Sequence, residues 1–210
     1  MVIDKITELN ASHPTLTEDD AIAAIMITVA EISNTKNTCM PESVSIEKPQ
    51  PATGVKLVLQ GVIAGQLKNG WQVYATYNGC PETPVQRFAV LDFSDGLRRA
   101  IQINPGRSLA NMSVMRDTSA SAAMSAYIAA KKTDASCDGK DMDLVGSRIV
   151  SQSDDLGPDV FGVRYTGSWK EIWTFKTCGQ NYDVPITFRA DGDGGAYTHV
   201  SGDGTKAVGK

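Results

Sequence analysis

The chain of 210 residues has only two histidines, four cysteines, 7% aromatics and no surplus of positive charge. Each shortage removes a class of function. His13 and His199 lie near opposite ends and read as incidental, and no CxxC, HExxH or GxSxG pattern occurs. Zinc hydrolases and nucleophile-elbow enzymes therefore lack their characteristic residues. No glycine-rich phosphate loop is present either, so neither a cofactor nor a metal is expected. Lys and Arg number 20 against 24 Asp and Glu, a formal charge of -4, which excludes the broad basic surface that nucleic-acid binding draws on. The most apolar window, residues 21–30, is about half the ~18–20 residues of a membrane span and is flanked by Glu18, Asp19, Asp20 and Glu31. No membrane span is expected. The opening residues 1–8 are interrupted early by acids and show no basic leader.

What is present is a repeat. Cys39 and Cys80 are 41 positions apart, as are Cys137 and Cys178, and Trp71 and Trp169 each precede the second cysteine by nine. One offset of 98 relates the two sets and carries Thr76 onto Thr174, Asp19 onto Asp117, Ala24 onto Ala122 and Met26 onto Met124 without a gap. A period of this size is a duplicated domain rather than a solenoid.

In the first copy, Thr15-Leu16-Thr17-Glu18 reads as a capping box opening a helix, with Ile22, Ile25, Met26, Val29 and Ile32 as its buried stripe. The offset places Ala120, Ala123, Met124, Tyr127 and Ala130 on the matching stripe, and both methionines read as core filler. Strands follow in each copy. Residues 55–67 read as a strand, Asn69-Gly70 as a hairpin turn, and 71–77, 85–93 and 97–103 as further strands with turns at 78–81 and Asp95-Gly96. The second copy repeats this with 161–165, 169–175, 184–189 and 196–200, with turns at Gly167-Ser168, Cys178-Gly179 and Asp193-Gly194. Alternation predicts that Trp71, Val73, Ala75 and Tyr77 face the core, matched by Trp169, Glu171, Trp173 and Phe175. Glu171 is the anomaly. It requires a bulge, a Lys or Arg partner, or the opposite face.

Because each copy has one cysteine after its helix and one at a hairpin turn, duplication predicts within-copy disulfides, Cys39 to Cys80 and Cys137 to Cys178. Such bonds belong to exported proteins. Export implies a leader already removed, with Met1 contributed by recombinant expression. Among weaker motifs, Ser33-Asn34-Thr35-Lys36 reads as a helix end, the 191–195 Asp-Gly run as a turn instead of a calcium loop, and Asn10 and Asn111 as residues near helix starts. Arg87, Arg98, Arg99, Arg107 and Arg116 fall within thirty residues, and the last four form a candidate anion-binding group beside the plainer reading of a solvated edge.

The stretches 69–77 (NGWQVYATY), 104–109 (NPGRSL) and 167–175 (GSWKEIWTF) resemble those of uncharacterised exported bacterial proteins with a Trp-x8-Cys-Gly strand-turn motif. In those relatives the last stretch runs on into Cys-Gly, a Val-Pro strand and an Asp-Gly-rich turn, as Cys178-Gly179, Val184-Pro185 and 191–195 do here. The resemblance covers most of the chain, more closely in its second half, and the first copy departs from it where Pro81 follows Cys80. It implies an envelope or secreted setting and brings no activity or catalytic residues.

The expected fold is α+β: two tandem pseudo-symmetric modules, 1–107 and 108–210, each one helix packed on an antiparallel β-meander, with one shared sheet as a variant. The expected function is a periplasmic or secreted binding or envelope-assembly scaffold with a protein or envelope partner and no catalytic residue. The alternatives are a hydrolase with its site in a cleft between the modules, and a binder of anions or acidic partners through the arginines.

Overall fold

The computed structural model describes Thr7 and residues 14–36, 38–81 and 83–209. His13 and Asn10 lie outside them. The chain divides into two compact units, one of Met1–Ile103 with Asp159–Val163 and the other of Asn104–Pro158 with Arg164–Lys210. Each has its own sheet, so the shared-sheet variant does not occur.

In the first unit, helix α1 (Glu18–Lys36) starts where Thr17 Oγ1 accepts a hydrogen bond from the Asp20 amide at 3.2 Å. The cap is thus Thr17, two residues later than Thr15. Glu18, Asp19 and Asp20 occupy the first turn, where the helix dipole favours negative charge. Strands β1 (Ser43–Ile46), β2 (Gln50–Pro51), β3 (Leu67–Asn78), β4 (Gln86–Phe93) and β5 (Arg98–Pro105) form a sheet in the order β1-β3-β4-β5, with β2 beside β1 on the same edge of β3. Ile25 and Val29 of α1 pack on Trp71, Val73, Ala75, Phe88 and Val90, and Ile22 and Met26 lie at the margin of that core. The face assignment for β3 holds. Two other expectations fail. Residues 56–63 are not a strand but helix α2 (Lys56–Ile63), and Asn69-Gly70 lies inside β3 at a bulge instead of forming a turn. A Cβ on Gly70 would lie 2.8 Å from Val58 Cγ1, so this glycine serves close packing of α2 on the sheet.

In the second unit, helix α3 (Met112–Thr133) is capped by Asn111, whose side-chain oxygen accepts from the amides of Ser113 and Val114 at 3.0 and 3.1 Å. Strands β6 (Asp143–Gln152), β7 (Ser168–Thr177), β8 (Gln180–Ala190), β9 (Ala196–Val200) and β10 (Lys206–Val208) form the sheet β6-β7-β8, with β9 and β10 pairing different parts of β8. The strand expected at 161–165 is absent: residues 160–163 form a single isolated bridge around a tight turn.

Register makes the duplication physical. The pairs Trp71↔Val90, Val73↔Phe88 and Ala75↔Gln86 become Trp169↔Phe188, Glu171↔Ile186 and Trp173↔Val184 when 98 is added to every number. The edge strand departs from this, because Ser43 pairs Asn78 whereas Asp143 pairs Lys176, which leaves two extra residues between Cys137 and β6. The helices differ as well. The buried row of α1 is Ala21, Ile25, Val29 and Ser33, and that of α3 is Thr118, Ala122, Ala126 and Ala130, one position earlier in the aligned numbering. One residue is a roll of about 100°. Ala120 and Met124 are consequently exposed, and Met124 at 55% is not core filler. Volume explains the roll. The bulk that Ile25 and Val29 supply in the first unit is supplied in the second by Trp173 and Phe188 of the sheet, so the helix must present alanine there.

Candidate functional site

Glu171, an acid on the core face, is 1% exposed and has no Lys or Arg partner among the described residues. Its Oε1 accepts from the Leu109 amide at 2.7 Å, the Ala110 amide at 3.2 Å and Trp169 Nε1 at 2.9 Å. Its Oε2 accepts from Ser108 Oγ at 2.7 Å and Trp173 Nε1 at 2.8 Å. The face assignment was right and the partner is a set of neutral donors rather than Lys or Arg. Five donors aimed at two oxygens use the acceptor-only character of a carboxylate, and the backbone donors lie just ahead of α3, where its dipole favours negative charge. Asn104 and Gly106 of the 104–109 stretch meet Ser147 on β6. Asn104 Nδ2 donates to Ser147 Oγ at 2.8 Å, and a Cβ on Gly106, whose φ is +86°, would sit 2.1 Å from the Ser147 carbonyl oxygen. Only glycine lets the chain pass there. The resemblance stretches 104–109 and 167–175 are therefore two sides of one hydrogen-bonded assembly.

The arginines do different jobs. Arg87 is buried on β4. Arg98 donates to Asp92 Oδ1 at 2.6 Å and pairs with Asp20 at 2.9 Å, and its guanidinium lies 5.9 Å from the Trp71 ring centre. Asp92 first, then Asp20, raise the Arg98 pKa further against the opposing effect of burial. Arg99 stacks over Phe93 at 5.1 Å, Arg107 is an exposed residue whose amide donates to the Ser147 carbonyl at 3.0 Å, and Arg116 pairs with its neighbour Asp117 at 3.0 Å. Arg98 and Arg99 belong to the first unit and Arg107 and Arg116 to the second. Both disulfides form, Cys39 to Cys80 and Cys137 to Cys178, and no cysteine is free. The 191–195 run is a turn in which Asp191 Oδ1 accepts from the Asp193 and Gly195 amides at 2.8 and 3.0 Å. Among the described residues no group of three or more His, Cys, Asp and Glu is placed to hold a metal, and no helix is long and apolar enough to cross a membrane.

Each unit has a concave surface among its described residues. In the second, a cleft of about 500 Å³ runs between α3 and β10, lined by Ser125, Ile128, Lys132, Thr205 and Lys206 among others. The Ser125 and Thr205 hydroxyls lie 2.7 Å apart at its base and satisfy each other. In the first unit, a cleft of about 410 Å³ is lined by Gln50, Pro51, Gln72, Asp159, Val160, Phe161 and Gly162. None of these residues stood out in the sequence. The Asp-x-x-Gly spacing of Asp159 and Gly162 was the available signal: Asp159 Oδ1 accepts from the Gly162 amide at 2.7 Å, a local turn bond that a strand reading of the segment overlooks.

No family model, curated protein or solved structure matches the chain.

Proposed function

We propose that the protein is a non-enzymatic binding or envelope-assembly scaffold of the periplasm or the extracellular space. The single observation that carries this reading is the pair of within-unit disulfides, Cys39 to Cys80 and Cys137 to Cys178, which belong to an oxidising compartment and brace each unit separately. The chemistry of the interior agrees. The core carboxylate Glu171 has its acceptor sites taken by five donors, so it serves packing and not proton transfer to a substrate. The open concave surfaces rest on sheet and helix, a rigid support suited to recognition.

The test is fractionation of the cells that make the protein, followed by peptide mapping without reductant. Both cystine-linked peptide pairs should be recovered from the periplasmic or extracellular fraction. Recovery from the cytoplasm with all four thiols free overturns the reading.

A further inference from the structure

We propose that the cleft of the first unit is a saccharide site, with Phe161 as the stacking platform and the amides of Gln72 and Gln50 as hydroxyl-binding groups. This deepens the reading of the protein as a binding scaffold and rests on it.

The first observation is a conflict at one position. Phe161 has φ of +53°, in the left-handed region that bulky residues avoid. Around it the backbone is fitted closely. The Gly54 amide donates to the Phe161 carbonyl at 2.9 Å, a Cβ on Gly54 would lie 2.9 Å from that oxygen, and a Cβ on Gly162 would lie 2.9 Å from Val55 Cγ2. At 54 and 162 the close approach is met by glycine. At 161, where the backbone angle itself favours glycine or asparagine, the sequence has phenylalanine, and that residue is only half-buried, so core packing does not account for it. An aromatic ring held in a strained conformation at the edge of a cleft points to a ligand.

The second observation is the polar lining. Gln50 and Gln72 are register partners on adjacent strands, so their side chains project from the same face of the sheet, opposite to that of Trp71. The half-buried Gln72 side-chain amide makes no hydrogen bond with any described residue, while the Gln50 side chain donates one N–H to the Lys48 carbonyl at 3.1 Å and keeps its oxygen and its other N–H. Two side-chain amides from adjacent strands supply both donors and acceptors to one face of the cleft. No Lys or Arg lines the cleft and Asp159 does, which disfavours an anionic ligand. A flat apolar ring beside amides that are both donor and acceptor matches a neutral sugar, whose one face carries C–H groups and whose rim carries hydroxyls. The volume, about 410 Å³, is within the range of small-molecule sites.

The test is amide chemical-shift titration of the whole, oxidised protein with glucose, maltose, N-acetylglucosamine and its dimer, to about 50 mM, well above a weak ~1 mM dissociation constant. At least one sugar should shift the backbone amides of Gln50, Gln72 and residues 159–162 in a saturable way. Phe161→Gly should weaken that binding by about tenfold or more while leaving the melting midpoint unchanged or higher, because glycine relieves the backbone conflict. Gln72→Ala should weaken it with the fold intact. The proposal is overturned if none of the sugars produces saturable shifts, or if Phe161→Gly binds as the parent does. Neither result touches the compartment assignment, which the fractionation decides separately.

Discussion

Five hydrogen bonds converge on the Glu171 carboxylate, and the two indoles among them come from its own strand, at positions two residues before and after it. Period-two geometry puts Trp169, Glu171 and Trp173 on one face, so the acid is flanked by the donors it needs before any tertiary contact forms. Tertiary structure then adds Ser108, Leu109 and Ala110. In the first unit the equivalent residue is Val73, and the second tryptophan is replaced by Ala75, so acid and indole are gained or lost together. A substitution that keeps shape and removes acceptor capacity isolates this effect. Glu171→Gln turns one acceptor oxygen into an N–H donor facing donors, and should cost about 2–4 kcal/mol, read as a lower urea midpoint. A loss under about 0.5 kcal/mol would mean the network does not hold the segment 108–110 in place. At Phe161, the non-glycine conformation costs on the order of 1–2 kcal/mol, which is why its removal is expected to spare or raise stability.

Between elements, the disulfides join the segment after each helix to the turn that ends the first central strand. In the first unit Cys39 follows α1 and Cys80 follows β3, and in the second Cys137 follows α3 while Cys178 opens the tight β7–β8 turn with φ of +50°, beside Gly179 at +76°. A sequence separation of 41 residues corresponds to about 4 kcal/mol in the chain-entropy model. Replacing Cys39 and Cys80 together by alanine should therefore lower the melting midpoint by roughly 10 °C, measured by circular dichroism, and an unchanged midpoint would show that the bond constrains nothing in the unfolded chain. Helix α2 shows where elements escape sequence reading. Its sequence, KLVLQGVI, is a short apolar run with branched residues, a pattern that strands and buried helices share. The packing of Val58 over Gly70, and of Leu67 where a Cβ on Gly61 would come within 2.6 Å of it, selects the helix.

For the whole molecule, pH reports how the charges are arranged. Asp20 is held below the ordinary 3.8 by the Thr17 hydroxyl and then by Arg98, and Asp141 by the Cys178 amide and then the Thr177 hydroxyl. For Asp183, burial alone would raise the pKa, but hydrogen bonds from Arg148 and Thr174 outweigh it and the net direction is down. A carboxyl whose folded pKa is depressed contributes stability above its unfolded pKa and loses it as pH falls through the folded value. Burial pushes Tyr77 up from 10.0 to about 12, so its contribution is complete below 10 and declines as pH rises toward 12. Urea midpoints should thus be flat between about pH 5 and 9 and fall on both sides, whereas a midpoint that rises on acidification from 5 to 3 would contradict these assignments. The duplication, the disulfide pairing and the buried face of each tryptophan strand were legible in the residues because they rest on spacing and on period-two alternation, which the covalent chain already carries. The roll of α3, the helical state of residues 56–63, the donors around Glu171 and the cleft that Phe161 and Gln72 both line were decided only on folding. They depend on volumes and hydrogen-bond partners supplied by segments distant in the chain, and no local pattern encodes what a side chain will meet.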